Sequence, residues 1–189
     1  MFEFLNNLDV SILLWVNSHF SPALDQIMLF ASGKFTWIPL YLFIVFLMVK
    51  KYKVKALIVL VFVVLTVTLT DQTSVHLFKN VFLRLRPCHQ TGVMEQLRMI
   101  KGCGGQYGFV SSHAANSFGI VTFVSLLFKK KWITYMMIVW GLLIIYSRVY
   151  LGVHYPFDVL GGSILGVIAG MITAWLFFKT DETFLAKKF

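Results

Sequence analysis

Charge is what this sequence has least of. Only 13% of its 189 residues are Asp, Glu, Lys or Arg, little more than half the share expected of a soluble globular domain. Acidic side chains are the scarcer sign, eight in all, and they are too scattered to form a carboxylate cluster that would hold magnesium. There are two cysteines, Cys88 and Cys103, and their separation is wrong for a CxxC-type metal site. A disulfide or two separate thiols remain open for them. The first residues, Met1-Phe2-Glu3, carry no basic segment ahead of an apolar one, which argues against a cleavable signal peptide. Internal repeats and low-complexity segments are missing too, which sets aside solenoids and disordered linkers.

In place of charge there are apolar runs, and 58% of the chain is hydrophobic. The runs lie at 35–49, 56–70, 114–128, 132–147 and 159–178. A crossing needs roughly 20 mainly apolar residues. Each run can reach that length by borrowing polar helical turns beside a buried site. The expected fold class is therefore all-α, a polytopic membrane helix bundle with five transmembrane helices over residues 34–180. Residues 181–189 form a short tail. Residues 1–33 mix Leu5, Leu8, Ile12, Leu13 and Trp15 with Asn6, Asn7, Asp9 and Asn17, and Ser21-Pro22 opens a second amphipathic stretch toward Gly33. Two interfacial helices fit that pattern better than a sixth span. Tyr150, Tyr155, Trp132 and Trp140 suit an aromatic belt at the membrane surface. Gly161, Gly162, Gly166 and Gly170 mark a last helix built for close contact inside the bundle.

The net charge of +9 invites comparison with nucleic-acid binders, but its placement sets that reading aside. Lys50, Lys51, Lys53 and Lys55 lie between the first two runs, Lys129, Lys130 and Lys131 between the third and fourth, and Lys179, Lys187 and Lys188 after the last. If the runs alternate in direction, all ten lie on one side. This is the positive-inside pattern; it places the C-terminus in the cytoplasm and the segments 79–113 and 147–158 on the opposite face. A disulfide between Cys88 and Cys103 is plausible there, because that compartment would be oxidising.

Three clusters on that face carry chemistry. Ser147-Arg148-Val149-Tyr150-Leu151-Gly152-Val153-His154-Tyr155-Pro156-Phe157-Asp158 sets an arginine, a histidine and an aspartate at fixed offsets between two apolar segments. Ionisable groups at a membrane boundary are costly and point to function. A guanidinium can clamp a phosphoryl group, an imidazole can attack it, and a carboxylate can hold that imidazole in the right tautomer. The second cluster is Lys79 to Arg86-Pro87, seven residues apart and so predicted to share one helical face, with Pro87 ending the helix. On its own it could be the snorkelling end of a span. The third is Val110-Ser111-Ser112-His113, where serine can cap a helix whose first amides form an anion site. Alone, it could be an ordinary cap beside an interfacial histidine. Asp71 is a candidate neighbour for Lys79, and His76 and His89 flank the first basic cluster.

In order and residue types, the three clusters resemble the signature of the type 2 phosphatidic acid phosphatase superfamily, K-x6-R-P, P-S-G-H and S-R-x5-H-x3-D. Lys79, Arg86 and Pro87 match the first, and Ser147, Arg148, His154 and Asp158 the third. In the second, Ser111 and His113 match, while Val110 replaces the proline and Ser112 the glycine. The resemblance implies a membrane lipid phosphatase, independent of metal or other cofactor. His154 would be the nucleophile, forming a phosphohistidine, and Asp158 would orient it. His113 would serve as general acid and then general base. Lys79, Arg86, Arg148 and the amides near Ser111 and Ser112 would hold the phosphate. It further implies a bacterial inner-membrane setting, with membrane lipids and a lipid phosphate as partners and no nucleic acid; the oligomeric state is left open. Undecaprenyl diphosphate is the leading substrate expectation. Phosphatidylglycerol phosphate, phosphatidic acid and phosphorylated lipid A stay open, as do a lipid phosphotransferase and a non-catalytic lipid-binding bundle.

Overall fold

The computed structural model describes residues 2–33 and 35–180; the expected tail at 181–189 lies outside them. Every regular element in the described residues is helical. Two short helices come first, α1 (Phe2–Ser18) and α2 (Pro22–Ala31). Ser21 caps α2, its hydroxyl accepting from the Leu24 amide at 3.2 Å, and Pro22 occupies the first turn, where its missing N–H is harmless. The apolar runs follow as α3 (Ile38–Tyr52), α4 (Ala56–Thr73), α6 (Ser112–Phe128), α7 (Lys131–Tyr150) and α8 (Pro156–Thr180). Between them, α4 continues through a π-helical turn at Ser74–Lys79 into the single turn α5 (Asn80–Phe82).

Three stretches are long and apolar enough to cross a membrane: Ile38–Phe82, Lys131–Tyr150 and Pro156–Thr180, with Ser112–Phe128 a shorter apolar helix. The first has 45 residues. A straight helix of that length would measure on the order of 70 Å, more than twice a ~30 Å hydrocarbon core. The chain resolves this by reversing at Lys53, whose φ is +51°, so that α3 and α4 pack side by side.

Tight packing of α6 on α8 organises the bundle. Gly162, Gly166 and Gly170 set α8 against the carbonyls of Ser111, Ala115 and Gly119; a Cβ on Gly170 would lie 2.6 Å from the last of these oxygens. Without side chains in the seam the two backbones approach closely, as membrane helices use small residues to do. Phe123, Phe177, Met137 and Trp140 fill the interior beside that seam. Leu57, Val64, Leu142, Ile164 and Trp175 point outward and stay exposed, as expected of surfaces bathed in lipid tails.

The aromatic belt needs correction. Trp132 is exposed, but Trp140, Tyr150 and Tyr155 are buried. Each has an internal partner that outweighs an interfacial position. Trp140 meets Trp37 and Tyr41 edge-on, Tyr150 donates its hydroxyl to Asp25 at 2.7 Å, and Tyr155 lies under the Arg84 guanidinium at 4.2 Å.

The two ends of the bundle differ in character. At one end Lys51 donates to the Leu127 carbonyl at 2.6 Å and Lys129 lies over the Phe178 ring, which gathers the lysine-rich turns. At the other end meet the C-terminal turns of α4 and α7, the N-terminal turns of α6 and α8, and the loop 83–111. α1 crosses this second end, with Asp9 at the start of α8 and Asn17 at the end of α7.

Candidate active site

The Lys79–Arg86 segment does not follow the helical path its spacing suggests. Leu83 turns left-handed, with φ +49°, directly after α5. Arg84, Leu85 and Arg86 then run extended and pair with residues 106–108: the Arg86 amide donates to Gln106 at 3.0 Å and the Gly108 amide to Arg84 at 2.8 Å. The helix therefore ends at Phe82, five residues before Pro87. A proline disfavours helical geometry in the residue before it, and the neighbouring strand-like segment supplies the backbone partners instead. Lys79 and Arg86 still face a common cavity, by a different route. The Arg86 side chain is aimed by two carbonyls, Cys103 at 2.6 Å and Tyr107 at 3.2 Å.

The start of α6 is capped by Ser111, whose hydroxyl takes the Ala114 amide at 3.5 Å. The Ser111 amide is engaged by the Asp158 carbonyl at 2.9 Å, and the residue is fully buried, so it joins two helix starts and does not face the cavity. Ser112 does face it. Its hydroxyl accepts the Lys79 ammonium at 2.6 Å and contacts the Ser74 hydroxyl at 2.6 Å. A glycine here would leave that ammonium without its protein partner. His113 follows on the same turn and lines the cavity.

The α7–α8 corner supplies the third group. His154 is 1% exposed, and its Nδ1 faces Asp158 Oδ2 at 3.4 Å. That distance is loose for a hydrogen bond. With Nδ1 on the carboxylate side, Nε2 is the atom left to the cavity. Burial, with Arg86, Arg148 and Lys79 close by, pushes the imidazole well below its ordinary value, which favours its neutral form. Asp158 is held from several sides: Oδ2 accepts the Tyr155 amide at 3.1 Å and Oδ1 takes Arg84 at 2.8 Å. Gly108 lies against the same carboxylate, where a Cβ would come within 2.8 Å of Oδ2. Arg148 is 5% exposed and does not itself line the cavity; its NH1 donates to the Ser32 hydroxyl at 2.5 Å, and its Nε has no partner among the described residues.

One cavity of about 460 Å³ brings Lys79, Arg86, Ser112, His113 and His154 together, with Asp71 in its wall. His76 and His89 are exposed and do not line it. An apolar slot of about 360 Å³ adjoins it, sharing Tyr41 and Asn116 and running between Ile44, Met48, Val63 and Ile120. The arrangement offers a neutral imidazole, a second imidazole and a set of cations around a space wide enough for a phosphoryl group, next to a channel suited to a hydrocarbon chain. Among the described residues the one cluster with metal-ligand spacing is Cys88, His89 and Cys103, and its thiols are joined to each other.

Sequence reasoning missed four residues at this end: Asp9, Arg84, Ser32 and Asn17. Asp9 and Asn17 are buried and bonded to the α7–α8 corner and the loop. Their signal was present as polar residues eight apart on an amphipathic helix.

The Cys88–Cys103 disulfide joins residues 15 positions apart in sequence, with their Cα atoms 6.0 Å apart. It fixes the Cys103 carbonyl that aims Arg86. Closing a loop of this length contributes about 3 kcal/mol on the chain-entropy view. Reduction, or the Cys88→Ser/Cys103→Ser pair, is expected to lower the melting temperature in detergent by several degrees and to raise KM more than it lowers kcat. Identical melting and kinetics with and without dithiothreitol would remove the disulfide from the site.

A profile described as the PAP2 superfamily matches residues 55–182. The chain is similar to a lipid A 4'-phosphatase of Bacteroides thetaiotaomicron, 37% identical over 94% of this chain and 79% of that protein. It is also similar to an undecaprenyl-diphosphatase of Sulfolobus acidocaldarius, 29% identical over 84% of this chain and 73% of that protein. In fold it resembles the crystal structure of the first transmembrane PAP2-type phosphatidylglycerolphosphate phosphatase from Bacillus subtilis. The TM-score is 0.70 at 23% identity, covering 95% of this chain and 87% of that one.

Proposed function

This chain belongs to the PAP2 superfamily, and from that premise we propose that it is a lipid phosphatase that removes a phosphate from phosphorylated lipid A. The observation that carries the chemistry is the shared cavity of His154, His113, Lys79 and Arg86, opening beside Tyr41 and Asn116 onto an apolar slot. Nε2 of His154 attacks phosphorus in line, and the bond to the leaving oxygen breaks as His113 protonates it. The resulting phosphohistidine is hydrolysed by a water that His113 deprotonates. Asp158 stabilises the imidazolium while it carries charge. Lys79 and Arg86, which line the cavity, offset the charge on the equatorial oxygens, in the role magnesium plays in soluble phosphotransferases, and Arg148, held on Ser32 at the cavity wall, adds positive charge from behind it.

The choice of lipid moves away from undecaprenyl diphosphate. A lipid A 4'-phosphatase is 37% identical over nearly the whole chain, against 29% for an undecaprenyl-diphosphatase. The cavity lining agrees with that choice. Trp37, Tyr41, Ser32 and Gly33 line the same cavity, rings and small polar groups of the kind that a sugar bearing the phosphate would meet.

The same reading has α3, α4, α6, α7 and α8 as five spans of a bacterial inner membrane, with α1 and α2 lying on the extracytoplasmic surface over the active site. The lysine-rich turns at the far end then face the cytoplasm, as the positive-inside rule favours. The disulfide beside the cavity fits an oxidising compartment.

Purified protein in detergent, given lipid A bisphosphate, undecaprenyl diphosphate, phosphatidylglycerol phosphate and phosphatidic acid in parallel, tests the substrate. The highest kcat/KM is expected on lipid A, with inorganic phosphate and monophosphorylated lipid A as products in equal amounts. A higher kcat/KM on undecaprenyl diphosphate would overturn the lipid assignment. Label passing to an alcohol acceptor instead of water would overturn hydrolysis.

A further inference from the structure

We propose that Asp9, on the first helix, is a positioning residue for phosphoryl transfer, acting through Arg84 on the carboxylate that orients His154. Asp9 is fully buried, and it precedes the residues that the family profile covers. Its Oδ1 accepts the Phe157 amide in the first turn of α8 at 2.8 Å. Its Oδ2 takes one arm of the Arg84 guanidinium at 2.6 Å. The other arm reaches Asp158 Oδ1 at 2.8 Å, and the opposite oxygen of that carboxylate faces His154 Nδ1. The Tyr155 ring supports the face of the guanidinium at 4.2 Å. A line of direct contacts thus runs from α1 to the proposed nucleophile.

Two physical consequences follow from this geometry. A planar guanidinium gripped at both arms has one orientation, so Asp9 fixes where Arg84 holds Asp158. Charge balance matters as much. Two carboxylates share one guanidinium, which leaves the group with a net negative charge beside the imidazole that must become positive during attack. With Asp9 neutral, Arg84 would compensate Asp158 completely, and His154 would lose most of that support. α1 has further docking contacts besides this one. Leu13 and Val16 are buried against the bundle, and Asn17 bonds to Arg98 and Tyr150 independently.

The inference rests on the phosphohistidine reading above, and the test separates the two. Wild type, Asp9→Asn, Arg84→Gln, the double variant and His154→Ala are assayed together on whichever panel lipid wild type hydrolyses fastest, with inorganic phosphate as competitive inhibitor. Asn keeps the shape of Asp9 and an acceptor for Phe157 but removes the charge. For Asp9→Asn, kcat is expected to fall about 10–100-fold, as for other residues that orient a reacting side chain. KM and phosphate inhibition should stay within about twofold of wild type, because the anion-holding cations are untouched. Arg84→Gln should behave alike, and the double variant should be no slower than Arg84→Gln alone. An unchanged kcat in Asp9→Asn, or losses that multiply in the double variant, would overturn the relay. Phosphate inhibition lost together with kcat in both single variants would make Asp9 a support of the fold only. Full activity in His154→Ala would sink the phosphohistidine reading itself, whatever Asp9 does.

Discussion

His154→Ala is expected to lose phosphate release by a factor on the order of 10⁴ or more, the scale seen when a covalent nucleophile is removed. The loss should appear in kcat, with the lipid still bound, because Lys79, Arg86 and the apolar slot remain. The reason lies in how the imidazole is prepared. Being buried among cations, it is kept neutral in the free enzyme, and the Asp158 carboxylate at Nδ1 leaves Nε2 with the lone pair. The sign of that displacement also predicts a pH profile. An imidazole held below its ordinary value of 6.5 stays unprotonated through that pH. The His154 limb of kcat/KM, which reports on the free enzyme, should therefore lie on the acid side of 6.5. Equal phosphate release from wild type and His154→Ala would remove the nucleophile assignment, and a half-maximum near the ordinary imidazole value would contradict the buried, cation-flanked setting.

How far the sequence disclosed this site depends on the kind of interaction. Five of the residues singled out by spacing, Lys79, Arg86, Ser112, His113 and His154, line one cavity, because ionisable groups between apolar runs have few reasons to be there. The helical runs were legible for the related reason that backbone in lipid must satisfy its own hydrogen bonds. The path from Lys79 to Arg86 was not. Seven residues fit two helical turns, but the chain leaves the helix at Leu83 to pair with residues 106–108, a contact made across some twenty intervening residues that no local pattern encodes. Asp9 was hidden in the same way. Read along α1 it is one polar residue on an amphipathic helix, and only the fold places it against Arg84 and the start of α8. Trp140, Tyr150 and Tyr155 were misread because a ring near a membrane surface suits a belt and a core equally well by composition. The internal partners decide, and they become visible only in three dimensions.

His113→Asn is expected to divide the reaction into its two steps. Breaking the bond from phosphorus to a sugar or lipid alkoxide requires a proton, and water requires a base before it can attack the phosphohistidine; a single imidazole across the cavity from His154 can serve both needs in turn. p-Nitrophenolate leaves without protonation. With p-nitrophenyl phosphate, therefore, the variant should still be phosphorylated and then stall. The expected trace is a burst of about one equivalent of p-nitrophenolate per enzyme, followed by a steady rate reduced about 10²–10⁴-fold, the usual contribution of a positioned acid–base group. Acid-labile, base-stable phosphate should remain on the protein after quenching. With a lipid phosphate the same variant should show no burst, because the first step then fails as well. Steady turnover of p-nitrophenyl phosphate at the wild-type rate would show that His113 is not the base for the second step. Absence of a burst with the aryl phosphate, in a variant that still binds inorganic phosphate, would place His113 in formation of the phosphoenzyme for a reason other than proton donation, and the two-step assignment would fall.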